Sequence, residues 1–214
     1  RFGQHFLVDP TAIRRILAPR AQVSAVIEAL SAALAKVRIG HPGLETTQMG
    51  ALASLAQRKD VREKVAALQA EARIVYGDPD KVSVDGADAE AGAFLSPILL
   101  HCADAASARA VHGVEAFGPV STVLGYDTLE EAADLTRRGE GSLVASVVTH
   151  DPAVARALVM DIASHHGRLL VLDRDCAKES TGHGSPLPHL VHGGPGRAGG
   201  GEELGGVRGV FHYM

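Results

Sequence analysis

Two thiols, three closely spaced histidines and one glycine-rich run are the parts of this sequence whose types and spacing could do chemistry. Cys102 follows the apolar Ile98-Leu99-Leu100 and reads as an ordinary buried cysteine. Cys176 sits in Asp173-Arg-Asp-Cys-Ala-Lys178, where Arg174 and Lys178 would lower a thiol's pKa while the two aspartates oppose them. His183, His189 and His192 have neither an H-E-x-x-H frame nor paired cysteines, and no acidic ligand is interleaved, so no metal site is expected. The run from Ala177 to Gly206 is thirty residues long, and ten of them are glycine. Its polar members, Lys178, Glu179, Ser180, Thr181, His183, Arg197, Glu202 and Glu203, are too varied for a Gly/Ser spacer, which points to an ordered functional loop. Gly193 to Gly201 lacks the lysine and hydroxyl of a phosphate-cradling loop. Gly184-Ser185-Pro186 lacks the following glycine of a nucleophile elbow, so hydrolase chemistry has little support.

The elements that must carry these residues alternate between helical and strand periods. Val23, Val26, Ile27, Leu30, Leu34 and Val37 recur at spacings of three and four, predicting a helix that ends at Gly40 and Pro42. A second helix is predicted over 60–71, with Val61, Val65 and Leu68 inward, followed by a short strand over 73–76. Residues 78–92, rich in Asp and Gly, read as a surface connection before a strand over 94–100. Residues 120–126 read as a strand, and Asp127 as the N-cap of a helix reaching about Arg138. The nearly continuous apolar run over 143–148 predicts a strand buried on both faces. Asp151-Pro152 opens a helix with Ala155, Leu158, Val159 and Ile162 inward, and 169–172 reads as a last strand. This succession implies an α/β fold with a mainly parallel sheet and helices on both faces.

Composition narrows the partners. With 214 residues, 46% hydrophobic content and a formal net charge of −4, the chain can bury a substantial core, and it gives no electrostatic case for nucleic acid or an anionic membrane. Aromatic residues are 4% with no tryptophan, which disfavours base-stacking platforms. No apolar stretch reaches membrane-spanning length and two cysteines suit a reducing compartment, so a cytoplasmic protein is expected. The start at Arg1 rather than methionine is what a fragment would show.

Glu115-Ala-Phe-Gly-Pro-Val120 resembles the E-x-F-G-P-V signature of the aldehyde dehydrogenase superfamily, and an ordered series of flanking segments resembles it as well. Asp127-Thr-Leu-Glu-Glu-Ala132, Gly141-Ser-Leu143 and the alanine-rich stretch to Gly167 stand where the family has such segments. Gly40, Pro42 and Met49-Gly50 stand at its G-x-P and M-G-P positions, with Ala51 replacing the usual proline. The glycine-rich run resembles the subgroup that acts in phenylacetate degradation, where ordinary members carry a P-F-G-G-x-K-x-S-G loop.

That resemblance implies oxidation of a CoA-linked semialdehyde, of the 3-oxo-5,6-dehydrosuberyl-CoA semialdehyde type, to its carboxylate, with NADP or NAD as hydride acceptor. It implies that Glu115 accepts hydrogen bonds from the nicotinamide ribose hydroxyls and that Phe117 lies beside the nicotinamide ring, core packing being the alternative for Phe117. The family nucleophile is the cysteine of G-Q-x-C, followed in this subgroup by T-A-I-R-R. Here Thr11-Ala-Ile-Arg-Arg15 is present but Pro10 occupies the cysteine's place, so no catalytic residue is assigned and the chain alone is expected to be inactive. Residues 11–206 then correspond to the catalytic domain without most of the dinucleotide-binding domain, and 207–214 to the start of an oligomerisation segment. The parent enzyme would be a homo-oligomer with a fused hydratase-like domain. Residues 1–10 resemble instead the opening of ribosomal-RNA adenine dimethyltransferases; without the glycine-rich methyl-donor loop they read as a foreign segment. A non-catalytic folding or interface module with the same fold is the second reading.

Overall fold

A four-stranded sheet is assembled from parts of the chain more than a hundred residues apart, and its order follows from which strands are apolar enough to sit inside it. The structure is a computed structural model, and it describes residues 15–179 and 193–199 together with Phe211 and Met214. Contacts divide the chain into two compact units, separated between Asp127 and Thr128.

In the first unit the sheet order is β1 (Arg15–Pro19), β4 (Val120–Tyr126), β3 (Ile98–Cys102) and β2 (Arg73–Tyr76). β4 pairs parallel with β1 and with β3, Leu100 lying opposite Thr122, while β2 runs antiparallel at the edge. β3 and β4 are the most apolar strands and take the central places, where both edges are satisfied by neighbours. Helix α1 (Val23–Leu34) lays Val26, Ile27, Leu30 and Leu34 against Ala18, Leu99 and Val123 on one face. On the other face, Leu68 of α2 (Leu55–Leu68) and Val111 of the short α3 (Ala110–Gly113) line a common space with Val120 and Thr122 of β4. The predicted inward residues Val61, Val65 and Leu68 are all buried.

Several boundaries differ from the sequence reading. Helix α1 stops at Leu34, because the amides of Lys36 and Val37 tighten onto Ala33 and Leu34 and turn Val37 toward a second cluster of Ile39, Met49 and Phe94. Gly40 does not end the helix; it bridges to Asp85. Helix α2 begins five residues before the predicted start, since Ser54 Oγ accepts the amide hydrogen of Gln57 and caps it there. The strand expected over 94–100 is β3, four residues later, with Phe94 and Leu95 buried in the approach to it. β1 and α3 were not expected.

The second unit holds α4 (Leu129–Arg137), β5 (Ser142–Val148), α5 (Pro152–Ile162) and β6 (His166–Leu172). β5 and β6 pair parallel, and Ala133, Leu158 and Ile162 from the helices pack on Ala145, Val147 and Leu169. Among the described residues β5 pairs with β6 and not with β4. The N-cap of α4 is Thr128, whose hydroxyl accepts the Glu131 amide hydrogen; Asp127 instead meets Arg20 at 2.8 Å. Asp151 caps α5 with Pro152 in the first turn, as its sequence predicts. β5 is not buried on both faces: Val147 is buried and Val148 is 77% exposed. The α/β class with mainly parallel pairing holds throughout.

Candidate functional site

The segment from Val114 to Pro119 joins the end of α3 to the start of β4, and its backbone is tied down along its length. The Val114 amide donates to Ala110 O, Gly118 N to Ala116 O at 2.8 Å, and Ile98 N at the start of β3 to Pro119 O at 2.8 Å. Burial alternates along it: Ala116 is buried, whereas Glu115 is half-buried and Phe117 is 41% exposed. Phe117 is thus not among the buried residues of the core. The turn presents a carboxylate and an apolar ring two residues apart, a pairing that suits a sugar hydroxyl pair joined to a flat heteroaromatic ring.

Two groups that the sequence did not single out fix α3, from which this turn departs. The Glu71 carboxylate accepts from the amides of Arg109 at 2.9 Å and Val111 at 3.2 Å, and those amide hydrogen bonds hold it below the usual carboxylate range. Arg15 Nη1 can only donate, so the His112 Nδ1 that it meets at 2.9 Å accepts, and the other ring nitrogen donates to Ala105 O at 2.9 Å. His112 is buried, and this bond ties α3 to β1 across 97 positions. No local pattern announces either contact, because both partners are distant in sequence.

The other residues with chemical potential fall apart from this turn. Cys102 is 1% exposed, and burial pushes its thiol up, which makes it inert. Cys176 is exposed, its sulfur accepting the Asp173 amide hydrogen at 3.3 Å. Asp173 is held below its ordinary range by the Cys176 and Asp175 amides that donate to it. Ligand atoms of His150, Asp173 and Asp175 lie within 4.8 Å of one another, but the local turn accounts for the approach of the two aspartates. His183, His189, His192 and Pro10 lie outside the described residues. Among the described residues no helix is long and apolar enough to cross a membrane.

Part of the glycine-rich run is described, and there glycine does provide close backbone approach. Arg197 N donates to Glu140 O at 2.9 Å, and Gly194 N to Gly199 O at 3.0 Å. Gly141 has φ +106°, and a side chain on it would collide with the Pro195 carbonyl. The stretch 193–199 is therefore packed against the start of β5 rather than strung out as a spacer.

Comparison with known proteins agrees with this architecture. Residues 9–206 match the model of the aldehyde dehydrogenase family. The chain is 46% identical over 186 residues to the 3,4-dehydroadipyl-CoA semialdehyde dehydrogenase of Aromatoleum evansii, which covers 86% of this chain and 36% of that protein. It is 48% identical over 167 residues to the protein MaoC of Klebsiella aerogenes, covering 78% of this chain and 48% of that one. The chain thus spans less than half the length of either relative. Among solved structures, betaine aldehyde dehydrogenase of Staphylococcus aureus in complex with NAD+ superposes with a TM-score of 0.77 at 26% identity, over 93% of this chain and 36% of that one. Aldehyde dehydrogenase C of Pseudomonas syringae, in complex with NAD+ and octanal, gives 0.75 at 28% identity over 93% and 37%.

Proposed function

The chain belongs to the aldehyde dehydrogenase family, and from that premise we propose that it is the nicotinamide-holding and substrate-shaping part of a cytoplasmic, NADP- or NAD-dependent enzyme that oxidises a CoA-linked semialdehyde to its carboxylate. The observation that carries this reading is the tethered turn with Glu115 half-buried and Phe117 turned to solvent. The CoA-linked substrate is supported by the likeness to the A. evansii enzyme and by the glycine-rich run.

When bound, the nicotinamide supplies the hydride acceptor. Glu115 would accept hydrogen bonds from the adjacent ribose hydroxyls, a task that suits a carboxylate because its two oxygens offer several lone pairs. Phe117 would offer the nicotinamide an apolar surface and exclude water there. An exposed aromatic on a fixed backbone fits such a group, since part of its ring remains open to contact.

Pro10 stands at the nucleophile's place, and proline has no side-chain group that could form a thiohemiacetal. The purified chain should therefore form no NADPH or NADH from a CoA-linked semialdehyde, and a Pro10→Cys change alone should not restore turnover. Reduced cofactor accumulating with the unsubstituted chain would contradict this. Pro10 also favours the second reading, a non-catalytic module of the same fold. Cofactor binding separates the two: Glu115→Ala should weaken nicotinamide cofactor affinity at least about five-fold by calorimetry for the first reading, and a module would show no binding to weaken.

A further inference from the structure

We propose that Gln57 is a positioning residue for the Glu115–Phe117 turn, acting through the Phe117 carbonyl. This deepens the cofactor reading above and rests on it. Gln57 occupies the third position of helix α2, in the arrangement Ser54-Leu-Ala-Gln57, where a glutamine normally folds back to close a capping box. One half of that pattern is present, Ser54 Oγ accepting from Gln57 N at 3.1 Å, while Gln57 Oε1 accepts from Ala53 N at 2.9 Å, one residue before the cap. The other end of the same amide does something a cap does not require. Gln57 Nε2 donates to Phe117 O at 2.7 Å, across sixty positions of sequence. One side chain thus joins the start of α2 to the carbonyl between the exposed ring and Gly118.

A second contact from the same helix meets the next residue. Val61, one turn further along α2 and fully buried, packs on Gly118, where an added Cβ would come within 2.9 Å of its Cγ2. With Ile98 N holding Pro119 O, three successive residues of the turn are each fixed from a different anchor. Gln57 is the polar anchor of the three, and Phe117 lies nearest the exposed end. Losing it would let the Phe117 peptide rotate, and with it the carboxylate and ring that the turn presents. A shift of that kind costs binding without touching a residue that meets the cofactor.

The two halves of the amide make the test selective. Gln57→Glu keeps an acceptor for Ala53 N and so keeps the cap, but it has no hydrogen to donate to Phe117 O. Ser54→Ala removes the cap and leaves the Gln57 amide in place. In hydrogen exchange on the full 214-residue chain, Gln57→Glu should make the amides of Gly118 and Val120 exchange about five-fold faster with α2 unchanged, and Ser54→Ala should speed exchange at the start of α2 with the turn unchanged. Titration with nicotinamide mononucleotide should weaken about five-fold in Gln57→Glu and stay level in Ser54→Ala.

Equal exchange and affinity in Gln57→Glu and the unsubstituted chain would overturn the assignment, as would Ser54→Ala reproducing the Gln57→Glu pattern. If the unsubstituted chain fails to bind the mononucleotide, the cofactor reading falls, while exchange at the turn still decides whether Gln57 holds it. Gln57→Ala, which loses both halves, should show both defects together. A Gln57→Ala chain with only the capping defect would overturn the role.

Discussion

In β3 and β4, Leu99, Leu100, Val123 and Leu124 have no exposed surface, whereas in β5 and β6 the comparably apolar Val148 and Val171 are 77% and 44% exposed. The strands differ little in residue type. What differs is how many neighbours they have: β3 is paired on both sides and the first sheet carries helices on both faces, while among the described residues β5 has one partner and one helical face. An apolar run therefore records that a strand is suited to burial, and the number of pairing partners decides how much burial is achieved. The polar groups divide in the same way. His112 is buried in the first unit and His101 keeps its Nδ1 buried there, whereas His150, Asp173 and Asp175 of the second lie at its surface or partly so.

Substitutions should reproduce this contrast, and the largest effect should come from the buried pair of strands. Leu100→Ala should destabilise by about 2–5 kcal/mol in chemical denaturation, while Val148→Ala should stay within about 0.5 kcal/mol. Comparable losses at the two sites would break the comparison. Next in size is Glu71→Gln, which weakens the acceptor for the α3 amides and should cost about 1 kcal/mol at neutral pH. Because the folded pKa of Glu71 lies below its unfolded value, the stabilisation is present above about pH 4.3 and disappears as pH falls through the lower folded value. The gap between Glu71→Gln and the unsubstituted chain should therefore close on acidification in a series of thermal melts.

The smallest effect concerns His101 on β3. Burial first, and then the Arg73 charge opposite it in register, push its pKa down, and among the described residues its buried Nδ1 has no hydrogen-bond partner. The neutral form is thus favoured by folding. Its contribution is full above the unfolded value of about 6.5 and is lost as pH falls through the lower folded value. His101→Leu should flatten the fall in melting temperature between pH 7 and 5; an unchanged slope would remove His101 from the account.

How much of this was legible in the sequence depended on the range of the interactions. Helices α1 and α5 and strand β4 could be read because apolar spacing and the Asp151-Pro152 cap are local signals. The start of α2 was missed although Ser54-x-x-Gln57 spells a capping box, because Leu55 to Asp60 shows no apolar period to accompany it. β1 is only Arg15-Ile-Leu-Ala-Pro19, and its strand character comes from pairing with β4 more than a hundred residues away. The signature turn could be located by its residues, but its anchors, Gln57 and Ile98, could not, since each reaches it through a nonlocal hydrogen bond. The glycine-rich run stood out by composition, and only the contacts of 193–199 with Glu140 and Gly141 show what glycine does there.

On the proposed reading, the fixed turn holding Glu115 and Phe117 receives a nicotinamide ribose. Its most direct test is a titration of the isotopically labelled chain with nicotinamide mononucleotide, followed through the backbone amides. Saturable shifts centred on Glu115 and Phe117 that vanish in Glu115→Ala are expected. Absence of those shifts in the unsubstituted chain, or their persistence in Glu115→Ala, would contradict it.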